Sequence, residues 1–323
     1  MRRVWLKRAA AAAVLAFVLF AFGWVPWFLA GLATTRRFQF PDRENGGLTP
    51  ASFQLASEDV AFRSPDGVDL RGWWVPAPTP RGTVVMVHGL NRSRVEMVRK
   101  VPFVHEQGWN ALLFDLRRHG KSGGTVRGLG YLEREDVLGA VDFALARSPK
   151  PIVVWGISFG GAATVFAAAE ESRIAGVVCD SSYRSLRDTA RHHLGLFRRF
   201  AWWLRAVPVW PTADEAVFWM GRRAGFDPDD LDVVKAAVKL SGRPALFVAG
   251  STDERMPPDI AYDLQKAAGA EASVLVVPGQ PFERVGRDGQ RYQSGHGHAY
   301  RDGPKPYEAA VARVLEQVLA RPQ

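Results

Sequence analysis

The chain has 323 residues, of which 47% are apolar and 23% are charged. Its length fits one large domain or two modest ones, and its near-average composition excludes collagen-like and wholly disordered proteins. The only cysteine, Cys179, rules out an intramolecular disulfide and any cysteine-clustered zinc or iron–sulfur site. Because Cys179 follows Val177 and Val178, we expect it to be a small buried hydrophobe.

The net charge of +9 is concentrated at the amino-terminal end. Six basic residues precede the first acidic residue, Asp42, which leaves 36 basic against 33 acidic residues in the rest of the chain. The six basic residues flank one apolar segment and are Arg2, Arg3, Lys7, Arg8, Arg36 and Arg37. This distribution predicts a membrane as a partner and argues against a nucleic acid.

The apolar segment comprises residues 9–32, which exceed the about 20 residues that a transmembrane helix needs. Four basic residues precede the segment and two follow it, so the positive-inside rule keeps the amino terminus in the cytoplasm and the rest outside. Trp24 and Trp27 suit the outer membrane interface. We therefore expect an uncleaved anchor in residues 1–35 of a single-pass protein of the cell membrane.

A cleaved signal peptide is the alternative, because small residues near Gly31-Leu32-Ala33 follow the apolar run. The run is long for a signal peptide, in which about 7 to 15 apolar residues are usual. Cleavage would make the protein secreted, so both interpretations put most of the chain beyond the cytoplasmic membrane. Residues 36–52 contain prolines and glycines and are expected to form a linker to a domain at 53–323.

Within that domain, short apolar and mostly β-branched runs alternate with helical patterns. This alternation is typical of a parallel α/β sheet that is covered on both faces. The predicted strands are 83–87, 111–114, 152–155, 174–178, 245–248 and 273–277, and the predicted helices are 94–107, 133–146, 159–170 and 258–268. Before them, runs 60–63 and 70–75 flank Ser64-Pro65-Asp66-Gly67, a turn sequence that predicts an antiparallel start of the sheet.

Residues 186–240 interrupt the alternation, since they are rich in tryptophan and arginine and contain no clear strand. This segment is predicted to form a helical cap over the carboxyl edge of the sheet, and the cap would shape a substrate pocket. An ordinary helical insertion whose tryptophans fill a core is the alternative. The arginines of this segment either meet anionic lipid or an acidic substrate, or form a solvated basic face.

The clearest local motif spans residues 152–162, where a predicted strand leads into Gly156-Ile157-Ser158-Phe159-Gly160 and a helix of small residues follows. Side chains at the two glycine positions would collide in such a tight turn, which presents the serine hydroxyl above the sheet. Ser158 is therefore the candidate nucleophile. A second match, at residues 120–124, lacks the strand and helix, and it is no phosphate-binding loop because Asp115 replaces the required glycine.

These features resemble the α/β-hydrolase superfamily, particularly its bacterial esterase, lysophospholipase and serine-aminopeptidase-like branch, over residues 60–319. The other matching motifs are His88-Gly89-Leu90, the stretch 115–124, which is similar to D-x-R-G-H-G-x-S, and Ser251-Thr252-Asp253 followed by Pro257. Arg118 replaces the usual glycine of the second motif. The resemblance implies the α/β-hydrolase fold, with a mostly parallel central sheet flanked by helices and a helical cap insertion.

The resemblance also implies a triad in the order nucleophile, acid, histidine, because a serine hydroxyl needs a base and the base needs an orienting acid. Asp253, which follows the strand 245–248, is the expected acid, and Asp180 is the alternative. The base is His296 or His298, and His296 is favoured because the family often has a histidine four residues before an aromatic residue such as Tyr300.

The distance in sequence between Asp253 and His296 exceeds what the resemblance leads us to expect. Residues 280–295 are polar and contain glycine, so we interpret them as a hairpin insertion that accounts for the surplus.

Two backbone N–H groups, of Leu90 and Phe159, are the expected donors to the developing oxyanion. His88 is expected to hold the loop rather than to act as a second base. The sequence contains no metal-binding or dinucleotide motif, and this chemistry requires no cofactor.

The expected function is hydrolysis of a carboxylic ester, on a small-molecule or lipid-like acyl substrate, through an acyl-enzyme on Ser158. A serine peptidase, or an acyltransferase or thioesterase, would use the same triad, since the fold does not fix the substrate. A catalytically silent binding domain tethered to the membrane is the remaining alternative.

Overall fold

An eight-stranded sheet forms the centre of the computed structural model, which describes residues 2–35, 45–199, 201–279, 283–285, 291–293 and 295–321. The order of strands across the sheet is β1-β2-β4-β3-β5-β6-β7-β8. The strands are β1 (Glu58–Arg63), β2 (Asp69–Val75), β3 (Gly82–Val87), β4 (Trp109–Asp115), β5 (Ile152–Ile157), β6 (Ile174–Asp180), β7 (Ala245–Gly250) and β8 (Ala272–Val277).

The sheet begins antiparallel and continues parallel, as the sequence predicts. Strands β1 and β2 form a hairpin, β2 is antiparallel to β4, and the pairs from β4 through β3 to β8 are parallel. All residues of the central strands β3 and β5 are buried, which explains their unbroken apolar sequences.

Helices cover both faces of this sheet. One buried cluster joins α4, α5 and α9 to side chains such as Val85 and Val154, and the other joins α3 and α11 to Met86 and Trp155. The helices of the domain are α3 (Val101–Glu106), α4 (Glu133–Arg147), α5 (Phe159–Glu170), α6 (Leu186–Phe197), α7 (Thr212–Ala224), α8 (Val233–Ala237), α9 (Asp259–Ala268), α10 (Ala299–Asp302) and α11 (Pro304–Leu319). The carboxyl ends of β5 and β7 thus emerge between two helical layers.

One predicted helix differs from the structure. Residues 94–107 form a 3₁₀ segment, Arg94–Lys100, and then the short helix α3. Pro102 lies in the first turn of α3, where a missing N–H costs nothing, but it cannot donate to a carbonyl of a preceding helical turn. The prediction of one continuous α-helix is therefore wrong at this proline.

The segment 186–240 contains α6, α7 and α8 and returns to its own starting point. The Leu186 N–H donates to the Leu231 carbonyl at 2.9 Å, and the Val233 N–H donates to the Arg184 carbonyl at 2.9 Å. The segment therefore leaves the sheet after β6 and closes on itself before β7, as an insertion does.

The amino-terminal segment is helical through α1 (Arg2–Val18), a π-helical stretch Leu19–Trp24 and α2 (Val25–Thr34). Residues Arg3–Thr34 are long and apolar enough to cross a membrane, a criterion that signal sequences and buried core helices also meet. Of the predicted linker, residues 36–44 lie outside the described residues. The described part of the linker packs on the domain, where Asn45 accepts a hydrogen bond from Arg99 and Leu48 contacts the core.

The predicted hairpin at 280–295 contains two short antiparallel strands, β9 (Glu283–Val285) and β10 (Arg291–Gln293). Its other residues up to 294 lie outside the part of the chain that the structure describes.

Candidate active site

Ser158 occupies a strained bend between β5 and α5. Its backbone has φ +57° and ψ −123°, a conformation that residues with a side chain rarely adopt. A Cβ atom at Gly156 would lie 2.2 Å from the Gly160 carbonyl oxygen, and one at Gly160 would lie 2.3 Å from the His88 carbonyl oxygen. Both glycines are therefore required by close backbone contacts, as the sequence motif predicts. The Ser158 N–H also donates to the Asp180 carbonyl oxygen at 2.7 Å, which ties the bend to β6.

Three of the predicted site residues meet at this bend. The Ser158 Oγ lies 2.9 Å from His296 Nε2, and His296 Nδ1 lies 2.8 Å from Asp253 Oδ2. When Nδ1 donates its proton to the carboxylate, Nε2 is left as the acceptor for the serine hydroxyl. The arrangement is that of a nucleophile, a base and an orienting acid.

The Asp253 carboxylate is fixed at the end of β7. Its Oδ1 accepts the N–H groups of Arg255 and Met256, each at 2.9 Å, while Oδ2 accepts from His296. Burial by itself raises the pKa of Asp253, but His296 and these hydrogen bonds together lower it below its usual value. The carboxylate is therefore ionised at neutral pH and can orient an imidazole.

The two alternative triad residues take other positions. The buried Asp180 carboxylate accepts from the Tyr307 hydroxyl at 2.9 Å and from Ser181 Oγ at 2.8 Å. Burial raises the pKa of Asp180. His298 occupies the amino-terminal cap position of α10. The histidine that lies between Ser158 and Asp253 is His296.

The serine of the second glycine-x-serine-x-glycine match, Ser122, has a structural environment. Its Oγ donates to the Asp115 carbonyl oxygen at 2.5 Å and accepts the Arg71 N–H at 2.9 Å. Both bonds join the loop after β4 to neighbouring strands. Cys179, as expected, is buried.

The loop after β3 passes directly beside the serine. A Cβ atom at Gly89 would lie 3.4 Å from Ser158 Cβ. The Gly89 N–H donates to Glu96 Oε2 at 2.7 Å, and the Asn91 N–H donates to His119 Nε2 at 3.1 Å. Between these two satisfied groups lies the Leu90 N–H, for which the described residues offer no hydrogen-bond acceptor.

Phe159 supplies the second candidate donor. It is the first residue of α5, and an N–H in the first turn of a helix has no acceptor within that helix. The amino end of a helix also carries partial positive charge, which favours a developing anion. The N–H groups of Leu90 and Phe159 are therefore both open to an oxyanion next to Ser158.

Two buried histidines support the Leu90 loop. His88 lies 2.8 Å through Nδ1 from the Gly89 carbonyl oxygen and accepts the Leu116 N–H through Nε2 at 3.0 Å. Burial lowers the pKa of His88 to about 4 and that of His119 to about 3, so both imidazoles are neutral. Both imidazoles are engaged in hydrogen bonds to backbone groups, so their role is to hold the loop and not to transfer protons.

Sequence reasoning missed the supporting roles of Glu96 and His119. His119 belongs to the quoted stretch 115–124, so the family motif already contained a signal for it. Glu96 lies in a 3₁₀ segment that the sequence assigned to an ordinary helix, and no motif distinguishes it.

The insertion 186–240 reaches the loop that carries Asp253. On α6, His192 Nε2 lies 2.6 Å from the Glu254 carbonyl oxygen and His193 Nε2 lies 3.3 Å from that of Arg255. Arg199 pairs with the Glu254 carboxylate at 3.3 Å. Helix α6 and Arg199 thus contact residues 254 and 255, which directly follow the candidate acid Asp253.

Comparison with known proteins agrees with this architecture. Residues 78–218 match the family model described as "Serine aminopeptidase, S33". The uncharacterized protein YqkD of Bacillus subtilis (strain 168) is 26% identical over 247 residues, which cover 74% of this chain and 78% of that protein. The polyketide transferase ATR5 of Stachybotrys chlorohalonatus is 37% identical over 131 residues, which are 38% of this chain and less than half, 44%, of the transferase.

A solved structure extends the likeness to most of the chain. The esterase Pf2001 of Pyrococcus furiosus superposes with a TM-score of 0.67 at 22% identity, covering 87% of this chain and 99% of the esterase. At this identity the likeness establishes the fold. The chain therefore has the α/β-hydrolase fold, and the family-model match over residues 78–218 and the serine bend agree with that fold.

Proposed function

We propose that the protein is a serine hydrolase that cleaves a carboxylic ester through an acyl-enzyme on Ser158. The observation that carries this proposal is the unbroken hydrogen-bonded series from Ser158 Oγ through His296 to Asp253. Such a series turns a weakly nucleophilic hydroxyl into one that attacks a carbonyl carbon.

In the proposed acylation step, His296 Nε2 accepts the proton of Ser158 as the Oγ atom bonds to the ester carbonyl carbon. The carbonyl oxygen becomes an oxyanion and accepts the N–H groups of Leu90 and Phe159. His296 then gives its proton to the departing alkoxide as the ester C–O bond breaks, and an alcohol leaves. Throughout, Asp253 stabilises the imidazolium and fixes its orientation.

In the proposed deacylation step, water replaces the alcohol. His296 takes one proton from the water, whose oxygen attacks the acyl carbon, and returns it to Ser158 Oγ as the acid departs. Atoms and charges balance without a cofactor, since the proton is passed between His296 and the reacting oxygens.

Acyl transfer is a second candidate function, and the likeness to a polyketide transferase favours it. The acyl-enzyme would form in the same way, but a substrate hydroxyl or amine would replace water in the second step. A peptidase, the activity that the description of the matched family states, would release an amine in place of an alcohol in the first step. Product analysis by mass spectrometry after incubation with ester, peptide and thioester substrates, with and without an added alcohol acceptor, distinguishes the three.

The kinetic test of the proposal compares two serine variants. We expect Ser158→Ala to lower kcat for a short p-nitrophenyl ester by at least about 10³-fold, because the nucleophile is lost. Ser122→Ala is the matched control, since Ser122 occupies the second glycine-x-serine-x-glycine match and should leave kcat within a few-fold. Activity that survives in Ser158→Ala and disappears in Ser122→Ala would contradict the proposal.

We further propose that Arg3–Thr34 is retained as a single-pass anchor, with the hydrolase domain outside the cytoplasm. The flanking basic residues support this orientation. Contacts of the helix with the domain support its retention, because Arg127 donates to the Leu32 carbonyl oxygen and Val25 and Ala30 are buried. Amino-terminal sequencing of the protein from membranes tests this, and a mature chain that starts just after Ala33 would contradict it.

Contacts between α6 and the loop of Asp253 support a cap role for residues 186–240. We propose that α6 and α7 cover the candidate site and limit which substrates reach Ser158. Fastening of α6 to the carbonyl groups of Glu254 and Arg255 is the supporting contact.

A further inference from the structure

The amino-terminal helix lies along α7 in a defined register. The hydroxyl of Thr212, the first residue of α7, donates to the Ala21 carbonyl oxygen at 3.4 Å. Near the other end of α7, the Arg223 guanidinium lies 4.4 Å above the Trp27 ring. The two helices therefore run in the same direction. Thr212 of α7 lies beside Ala21, and Arg223 lies beside Trp27, so the position of a residue along one helix gives its position along the other.

At the Ala21 end, the helix packs against an apolar part of the insertion, which we call the cap tip (residues 194–213). Ala21 and Val25 form one buried cluster with the following residues of the tip: Leu194, Leu204, Val207 and Ala213. Close to these contacts in sequence lie three exposed aromatic side chains. Phe197 is 48%, Trp202 80% and Trp210 71% exposed.

At its carboxyl end, the same helix meets arginines instead. The Leu32 carbonyl oxygen accepts from Arg127 at 2.9 Å, and the Thr35 carbonyl oxygen accepts from Arg118. Arg118 adopts φ +59°, the left-handed conformation that its family's usual glycine favours. The surroundings of the docked helix thus change from apolar at Ala21 to cationic at Thr35, in the order expected for a helix that leaves a bilayer.

For the proposed anchor, the length of the helix indicates how deep the cap tip would lie in a bilayer. The charge-free run starts at Ala9, and a hydrocarbon core of about 30 Å takes about 20 residues, which end near Phe28. Ala21 then lies about 10 Å inside the outer boundary of the hydrocarbon at 1.5 Å per residue. Residues 9–20, which precede the docked part, would span only about 18 Å alone.

We infer that the cap tip inserts into the outer leaflet of a phospholipid membrane, with Phe197, Trp202 and Trp210 as its lipid-contacting side chains. This inference rests on the proposed membrane anchor. Tryptophan is favoured at the membrane interface, where its ring meets acyl chains and its N–H meets headgroups. Two arginines of the tip, Arg198 and Arg205, donate to each other's carbonyl oxygens and add positive charge to the tip, which favours anionic headgroups.

Insertion of the tip would determine which class of substrate reaches the candidate site. Phe197 lies one helical turn from His193, with the two rings 6.1 Å apart, and His193 contacts the loop of Asp253. The proposed lipid-contacting Phe197 and the residue that contacts the loop of Asp253, His193, are therefore one turn apart on α6. We assign to the site acyl esters that reside in the membrane, which enter from the leaflet rather than from water.

The single buried cysteine allows a direct measurement of insertion. Because Cys179 is buried, a new cysteine at an exposed position is labelled selectively with an environment-sensitive fluorophore. The variants are Trp202→Cys and Trp210→Cys in the full chain, reconstituted in vesicles of phosphatidylcholine and phosphatidylglycerol. The control is Tyr262→Cys, since Tyr262 is a 55% exposed aromatic residue on α9, outside the insertion.

We expect labels at 202 and 210 to be quenched by spin-labelled lipids and protected from aqueous iodide, and the label at 262 to show the reverse. Quenching by iodide at all three positions in vesicle-bound protein would overturn the inference while leaving the anchor intact. Failure of the full chain to float with vesicles would overturn both. Repeating the measurement with Ser158→Ala separates insertion from catalysis, because the labels respond in an inactive chain.

A second measurement tests the substrate class. Changing both tryptophans, Trp202→Ser and Trp210→Ser, should lower the hydrolysis of a long-chain ester in vesicles by about tenfold or more, which corresponds to about 1.4 kcal/mol. Hydrolysis of a short soluble ester should stay unchanged, since both side chains are exposed and outside the triad. An equal loss with both substrates, or no loss with either, would overturn the assignment.

Discussion

Replacing Gly160 by alanine tests how tightly the serine bend is built. The new Cβ would lie 2.3 Å from the His88 carbonyl oxygen and 2.7 Å from that of Val87. Both oxygens belong to backbone, at the end of the buried strand β3 and in the loop that leads to Leu90. The contact can be relieved only by moving this loop or the bend itself.

The expected losses follow from that movement. Overpacking of a buried site costs about 1–3 kcal/mol, and each kcal/mol lowers the melting temperature of a domain of this size by about 2–4 °C. Displacing one oxyanion donor costs a further factor of about 10² to 10³ in kcat. We therefore expect Gly160→Ala to melt several degrees lower and, where folded, to hydrolyse a soluble ester about a hundredfold more slowly.

Circular dichroism melting and kcat with a p-nitrophenyl ester measure the two effects separately. Gly195→Ala is the matched control, because a Cβ at position 195 in α6 meets nothing within 4 Å. It should raise the free energy of unfolding by up to about 1 kcal/mol through helix propensity. A Gly160→Ala variant with the melting temperature and kcat of the parent protein would refute the reasoning.

Three further predictions concern the charges and hydrogen bonds of the site. Asp253→Asn should lower kcat by about 10⁴-fold at neutral pH, because the amide no longer stabilises an imidazolium; steady-state kinetics measure this. The pKa values of His88 (about 4) and His119 (about 3) lie below the usual 6.5. Between pH 6.5 and these values, each imidazole is protonated in the unfolded chain and neutral in the folded chain. The free energy of unfolding should therefore fall by about 1.4 kcal/mol per pH unit and per histidine as the pH drops below about 6, in denaturant titrations. Glu96→Ala should lower kcat by about tenfold with little change in KM, since the Gly89 N–H loses its acceptor, and Glu96→Gln should restore most of the rate because its amide oxygen still accepts.

Each of these predictions has a contradicting result. His298→Gln controls for Asp253→Asn, and equal losses in both variants would remove the distinction between His296 and His298. His119→Asn should flatten the pH dependence of stability by one proton, and an unchanged slope would contradict a neutral buried His119. Equal activities of Glu96→Ala and Glu96→Gln would show that the Gly89 contact has no bearing on the rate.

The strands and the serine bend were predictable because their sequence patterns are local. Strands such as β3 and β5 are buried on both faces, which requires continuous apolar sequence. The bend requires glycine at two fixed positions around Ser158, and backbone contacts enforce both. In each case the sequence pattern is confined to a few consecutive residues, although Gly160 itself meets the His88 carbonyl oxygen after β3.

The position of His296 had a less local cause. The sequence favoured His296 over His298 only through the family's spacing of four residues to an aromatic residue, here Tyr300. In the structure Gly295 packs against Thr252, where a Cβ would lie 2.4 Å from the threonine Oγ1, and the next residue, His296, lies 2.8 Å through Nδ1 from Asp253 Oδ2. No pattern within residues 280–298 contains that information.

The docking of the amino-terminal helix was outside the reach of sequence. A charge-free apolar run fits lipid and a protein surface equally well, and in the structure Leu19 is exposed whereas Val25 is buried. The one sequence signal was Arg118, the departure from the family's glycine. Its contact with the Thr35 carbonyl oxygen gives the departure a physical reason, since it binds the carboxyl end of the helix.

The most direct test of the account is the rate and site of covalent labelling by a fluorophosphonate. Mass spectrometry should find the adduct on the peptide that contains Ser158, and His296→Gln should slow its formation by about 10³-fold or more because the base is gone. An adduct on any other residue, or a rate that does not depend on His296, would contradict the central claim that this imidazole activates this hydroxyl.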